Sequence, residues 1–272
     1  MEENSFIFTD GQDPKMIEAY EKARETFKYF WREQSWENRR IIPALDLSCV
    51  KASFSEKDAE TGEDIVEHMW INEIDFDGET VSGFLINEPN KLTNIKAGDY
   101  FEIPLSEISD WLFAITPDVK KPKGLSKLFS SSESPLPRTY GGFTIHKMRA
   151  DMPENERKEH DDAWQLDFGD FNDILIVNGQ KEHPENLTEH PMSKNMNGEF
   201  QKFFQEYPEE LTNTDENGLT LLHRETIAGN LTSVKIALEA GVDKNARSGK
   251  GKTALDYAKQ LKWEHIIPVL EN

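Results

Sequence analysis

The feature that most constrains this chain is a repeat near its C-terminus. Gly218-Leu219-Thr220-Leu221-Leu222-His223 recurs as Gly251-Lys252-Thr253-Ala254-Leu255-Asp256, an interval of 33 residues. Between the copies run Ala228-Gly229-Asn230 and Leu238-Glu239-Ala240-Gly241-Val242-Asp243. A fixed period of this length marks stacked supersecondary units, none of which buries its apolar face alone. Thr220 and His223 suit a hydrogen-bonded turn entering a helix, and Gly229 suits a left-handed turn between two helices. Phe200, Phe203, Phe204 and Tyr207, at helical spacing, fit the second helix of a truncated first unit. The array is then about two and a half units, where three are normally needed to stand alone. Residues 198–272 are therefore expected to lean on what precedes them.

These phrases resemble the ankyrin repeat, with its period of about 33 residues and its T-P-L-H-x-A signature. Leu221 and Ala254 stand where the signature has Pro, and Lys262-Trp263 stands at the inter-helix Gly of the second unit. The resemblance implies all-α helix pairs and either a covering or a partner-binding role.

Charge is unevenly shared. Lys and Arg number 31 against 51 Asp and Glu, a formal net charge of −20, and residues 1–197 hold 39 of the acids and 22 of the bases. Affinity for a phosphate backbone comes from cations that neutralise it, so a nucleic-acid partner is not expected. The longest run without Asp, Glu, Lys or Arg is Thr226 to Val234, far below the roughly 20 apolar residues of a membrane span. Cys49 is the single cysteine, which excludes a disulfide scaffold and a Cys-rich zinc site. A cytoplasmic location is expected.

Residues 1–197 read as an α+β domain with an antiparallel sheet and flanking helices. Asp13 and Pro14 open a helix whose stripe is Met16, Tyr20, Ala23, Phe27 and Phe30. Leu45, Leu47 and Cys49 alternate with polar residues, then Val50, Ala52 and Phe54 continue the alternation one residue out of step, which predicts a β-bulge near Cys49-Val50. Asp77-Gly78 predicts a hairpin between His68–Ile71 and Val81–Ile86. Tyr100 to Ile103, Trp111 to Ile115 and Ile174 to Val177 predict further strands, and Pro153 opens a second helix within 144–164. Trp70 and Trp111 are expected in the core. Residues 118–138, with five bases against two acids and a serine run, read as a mobile loop, and 180–197 as a linker. The His183-Pro184 and His190-Pro191 pairs favour extended backbone over a metal site.

Several phrases in order resemble the bacterial YegJ-like domain of unknown function, over about 13–180. They are Asp13-Pro14-Lys15-Met16 with Ala23-Arg24, Glu67-His68-Met69-Trp70, Gly83-Phe84-Leu85-Ile86-Asn87-Glu88-Pro89, Gly98-Asp99-Tyr100, Ile108-Ser109-Asp110-Trp111 and Gly141-Gly142-Phe143-Thr144. The resemblance brings no catalytic residue. It implies that Glu67, His68, Trp70, Asn87, Glu88, Asp110 and Trp111 sit together.

Chemistry is sparse. Asp167-Phe168-Gly169 lacks every other kinase motif, and Asp75-Phe76-Asp77-Gly78-Glu79 lacks the ligand pattern of a calcium loop. No metal site or cofactor is expected. Pairing across the hairpin would bring Glu67 and His68 near Asn87 and Glu88, either as a satisfied polar sheet end, as a binding contact, or as a hydrolase-like centre using His68 with Glu67 and Glu88. The favoured reading is a non-enzymatic protein-binding module, of immunity or scaffold type. Its partner would be a protein with a basic face, met by Glu154, Glu159 and Asp162 within an acidic run. Glu67, His68, Asn87, Glu88 and Asp110 complete the binding candidates.

Overall fold

Helix α1 (Pro14–Glu37) begins where the sequence opens it. Asp13 accepts from the Lys15 N–H and Pro14 occupies the first turn. The computed structural model describes residues 13–117 and 135–272, so most of the loop expected at 118–138 lies outside the described residues. One side of α1, carrying Ala19, Ala23, Phe27 and Phe30, is fully buried against a six-stranded sheet. The strands are β1 (Leu47–Lys57), β2 (Asp64–Phe76), β3 (Thr80–Leu85), β4 (Tyr100–Pro104), β5 (Ile108–Ile115) and β6 (Arg138–Gly141). Their order is β4-β3-β2-β1-β5-β6, and every neighbouring pair is antiparallel. Trp111 on β5 is completely buried, and its indole N–H donates to the Ala23 carbonyl at 3.0 Å, tying α1 to the sheet centre.

The expected bulge at Cys49-Val50 is elsewhere. β1 runs regularly through those residues, and its pairing with β5 slips between Lys51 and Ala52, where Ser109 is the extra residue on β5. The change of phase has another cause: both faces of this part of the sheet are covered. Val50, Ala52 and Phe54 belong to the core beneath α1. Leu47 and Cys49 point the other way, towards Leu112, Ile145 and Phe168 under α2 (Phe143–Asp151) and α3 (Glu154–Trp164). The sheet stops at β6, and Ile174 to Val177 is not a strand. It gives β6 a single backbone bond, Gly141 N–H to Leu175 C=O, while the Ile176 N–H goes to the Gln180 side chain. Trp70 is half-buried, with the Lys51 ammonium over its ring.

The stretch 180–197 folds against α1. A single turn at Pro184–Leu187 presents the Asn186 and Leu187 carbonyls to the buried Arg32 guanidinium. His190 is extended, as its following proline dictates, and caps α4 (Pro191–Asn195) by accepting the Met192 N–H. Its Nε2 donates to Glu33 at 3.0 Å while its ring stacks on Trp36.

Beyond α5 (Asn197–Glu206) come two helix pairs, α6 (Leu221–Ile227) with α7 (Leu231–Glu239), and α8 (Ala254–Gln260) with α9 (Ile267–Glu271). The 33-residue correspondence holds at their entries. Thr220 with His223 and Thr253 with Asp256 each form a reciprocal capping box, and Gly218 and Gly251 share positive φ. Lys262 stands where the first pair has Gly229, and it adopts the same left-handed turn, φ 54° against 73°. Trp263 links the pairs by donating from Nε1 to the Ile227 carbonyl at 3.1 Å.

The helix pairs rest on α1 and on the β2–β3 turn. Gln260 donates to the Gly78 carbonyl, Lys250 pairs with Asp77 at 2.6 Å and Lys252 with Glu79, while Trp36 donates to Asn230 at 3.0 Å. Gly78, at φ 99°, lies so close to Tyr257 that a Cβ would stand 2.5 Å from its ring. Gly78→Ala should therefore destabilise the chain by about 1–3 kcal/mol and raise amide exchange in α8. Unchanged denaturation and exchange would show that the contact is loose. Lys262→Gly should stabilise by about 0.5–1 kcal/mol, the left-handed strain relieved less the entropy of glycine, read from denaturant midpoints. A loss of stability would mean that the entropy of glycine outweighs the strain relieved.

Candidate functional site

Neighbouring strand residues point to opposite faces, and this divides the cluster expected from the sequence. Glu67 is buried under the loop that follows β3, where its carboxylate accepts the backbone N–H groups of Asn90 at 2.9 Å and Leu92 at 3.1 Å, and that of Lys91. Asn87 and Glu88 are exposed, and among the described residues Glu88 reaches only the Ala97 N–H, at 3.4 Å. His68 lies on the other face, stacked on Tyr20 with ring centroids 5.3 Å apart. Glu67, His68 and Glu88 thus form no acid–base constellation. Asp110 is fully buried and holds the start of α2: it accepts from the N–H groups of Trp111, Phe143 and Thr144 and from the Thr144 hydroxyl at 2.6 Å. Burial pushes its carboxyl up, against those hydrogen bonds. Of the set implied by the resemblance, His68, Trp70 and Asp110 share a face, and Glu67 and Trp111 belong to the other.

Glu154, Glu159 and Asp162 lie exposed on α3, and no cation pairs with any of them among the described residues. Their neighbour Asp161 is spent inward, on a bidentate pair with the buried Arg149 at 2.9 and 2.6 Å. Among the described residues no three His, Cys, Asp or Glu side chains gather to hold a metal ion, and no helix is long and apolar enough to cross a membrane.

A well-formed concavity lies elsewhere, at the seam between the α+β part and the helix pairs. A cleft of about 740 Å³ opens between the end of α1, the end of β2, α5 and α6. Trp31, Phe76, Phe200, Phe203, Leu219 and Ile227 give it an apolar floor. Its rim carries Asp75, Glu199, Glu206 and Asp215 beside Arg39, Lys202 and Arg224. Arg39 is held by the fully buried Glu225 at 2.6 Å, Lys202 by Glu199 and Arg224 by Asp215, which leaves Asp75 and Glu206 without an ion-pair partner among the described residues. Sequence reading missed this site because its walls come from segments more than a hundred residues apart. The exposed aromatic row Phe203 and Tyr207 was the one visible signal.

The chain belongs to the DUF2314 family, described as "Uncharacterized protein conserved in bacteria", which it matches over residues 13–168. It is 44% identical, over its whole length and 98% of the relative's, to a Neisseria meningitidis serogroup B protein named "Putative ankyrin repeat protein". It is 24% identical to "Uncharacterized protein YegJ" of Escherichia coli K12, across 56% of this chain and 80% of that one. No solved structure matches it significantly.

Two imidazoles of the α+β part are held neutral. Burial lowers both His68 and His146 from 6.5 to about 4, helped by Lys51 and Arg24 for His68 and by Arg149 and Arg138 for His146. Between those values the unfolded chain binds protons that the folded one refuses, so stability falls as pH drops from about 6.5 towards 4. Each ring contributes at most about 1.4 kcal/mol per pKa unit of difference. Urea denaturation at pH 7 and at about pH 5 should show the loss, and His146→Gln should shrink it. An equal loss in that variant would place the effect elsewhere.

Proposed function

We propose that this chain is a non-enzymatic protein-binding module, a DUF2314 domain carrying a short ankyrin-type array, of the immunity or scaffold kind and working in the cytoplasm. The cleft at the seam carries the reading. An apolar floor with aromatic residues inside a charged rim is the anatomy of a protein-recognition patch, where a large apolar side chain of the partner is desolvated. The name of the Neisseria relative points the same way. Asp75 and Glu206 on the rim, and Glu154, Glu159 and Asp162 on α3, favour a partner that offers basic residues around its apolar anchor, and disfavour nucleic acid and anionic membrane. The field of such a surface speeds encounter and selects partners more than it adds affinity.

The test is affinity purification from the native host with the full chain, followed by kinetics on whatever protein is captured. Phe203→Glu, at the cleft mouth, should abolish capture while leaving the melting temperature within a few degrees. Raising salt from about 50 to about 500 mM, which shortens the Debye length from about 14 to about 4 Å, should slow association strongly. Changing Glu154, Glu159 and Asp162 to Gln, Gln and Asn should reproduce part of that slowing. A partner whose binding ignores Phe203→Glu would remove the cleft from the account, and one that ignores salt and the acidic substitutions would remove the basic face.

A further inference from the structure

Beside the cluster under α2 and α3, on the same face of the sheet, lies an unexpected grouping of half-buried side chains for a chain of net charge −20. Lys51 is directly opposite Trp70, and Ser53 is opposite His68, so all four side chains share that face. The Lys51 ammonium lies 5.4 Å from the Trp70 ring centroid, and it makes no ion pair or hydrogen bond among the described residues. Arg24, one turn beyond Tyr20 on α1, gives its Nε proton to the Ile108 carbonyl at 2.8 Å, and neither Nη group has a partner among the described residues. Asp110, opposite Lys51 on β5, is the acid that faces them. Its two oxygens already accept four hydrogen bonds from the start of α2 and from Trp111, so they are taken. Tyr20 stacks on His68 at 5.3 Å, which brings α1 to the side of the sheet where Lys51 stands, and both Lys51 and Arg24 add to burial in pushing the His68 imidazole down. Beside Trp70 the face continues as an exposed apolar strip: the Ile86 N–H bonds to the Trp70 carbonyl, and Phe84 and Tyr100 pair with rings 5.3 Å apart.

We propose that Tyr20, Arg24, Lys51, His68 and Trp70 form a binding site for a small oxyanion carried on a flat apolar group, an aryl phosphate or aryl carboxylate in chemical class. Lys51 and the free Nη groups of Arg24 hold the oxyanion by charge-assisted hydrogen bonds, Arg24 matching it with two parallel donors. Trp70 receives the flat group, and the strip beyond it gives room for a longer one. His68 stays neutral at physiological pH, so it adds a ring and a polar edge and not a third charge. The site shares no residue with the cleft at the seam, so it is tested separately from the protein-binding reading.

The full chain should be titrated with inorganic phosphate, phenyl phosphate and benzoate at constant ionic strength, following amide and indole N–H resonances. Saturating shifts centred on Lys51, His68 and Trp70 are expected in the millimolar range, with phenyl phosphate bound about tenfold more tightly than phosphate. Lys51→Gln and Arg24→Gln should each weaken binding about tenfold. Trp70→Leu should erase the preference for phenyl phosphate and keep phosphate binding. If these variants do not fold, the wild-type chain decides: amine acylation mapped by mass spectrometry should slow at Lys51, and not at exposed Lys22, when phenyl phosphate is added. Shifts that fail to saturate by about 50 mM, undiminished binding in Lys51→Gln, or acylation of Lys51 that ignores the ligand would overturn the proposal.

Discussion

Everything in this molecule depends on the landing of the helix pairs on the turn between β2 and β3. A stack this short cannot close a core between its own members, so its inner surface needs a foreign floor. Ile227 and Tyr257 find it at Gly78, the one residue of the turn whose missing side chain lets an aromatic ring lie directly on the backbone. From there a single cluster of buried side chains runs without a break from Phe27 and Phe76 to Trp263 and Leu270.

The landing is polar as well as apolar, and its charges are arranged to tolerate burial. Arg32 and Glu33, both almost wholly inside, are next to each other on α1, yet each is met by the bridging segment: Arg32 by two carbonyls, Glu33 by His190 as well as Arg40. Desolvation lowers the Arg32 guanidinium to about 10, still far above neutrality, so it remains charged. A buried charge held in this way contributes little net attraction compared with apolar packing, but removing its partners leaves it stranded. The seam therefore accepts one arrangement and rejects sliding, which suits a junction whose two sides must keep register across α1.

Much of this was legible in the sequence where the pattern is local. Thr220 with His223, and Thr253 with Asp256, announce helix entries because a capping box needs only four consecutive residues. Asp77-Gly78 announces its turn for the same reason. The errors are long-range. The phase change at Cys49-Val50 arises from helices on both faces of the sheet, which no alternation pattern distinguishes from a bulge. Ile174 to Val177 has strand composition but meets a sheet whose edge strand is four residues long. Hairpin pairing placed Glu67 and His68 level with Asn87 and Glu88 along the strands, but pairing fixes the level and not the face, and adjacency on a strand puts Glu67 and His68 on opposite faces. Lys51, a lysine inside an apolar strand, was the readable sign of a polar group on the face that carries His68.

The cleft and the landing are physically one arrangement. Trp31 and Phe76 come from the α+β part, Phe200, Leu219 and Leu221 from the helical part, so the concavity exists only while the two are joined. Any ligand of the cleft therefore binds the docked state alone, and by mass action stabilises docking by about 2.7 kcal/mol at a hundred times its dissociation constant. The reverse holds with equal force: whatever loosens the seam lowers affinity in the cleft by the population of docked chain that is lost. A partner-binding surface placed across such a junction reports on the integrity of the whole fold. The oxyanion face carries no such coupling, because Lys51, His68 and Trp70 stand on β1 and β2, with Tyr20 and Arg24 on the half of α1 that packs against the sheet.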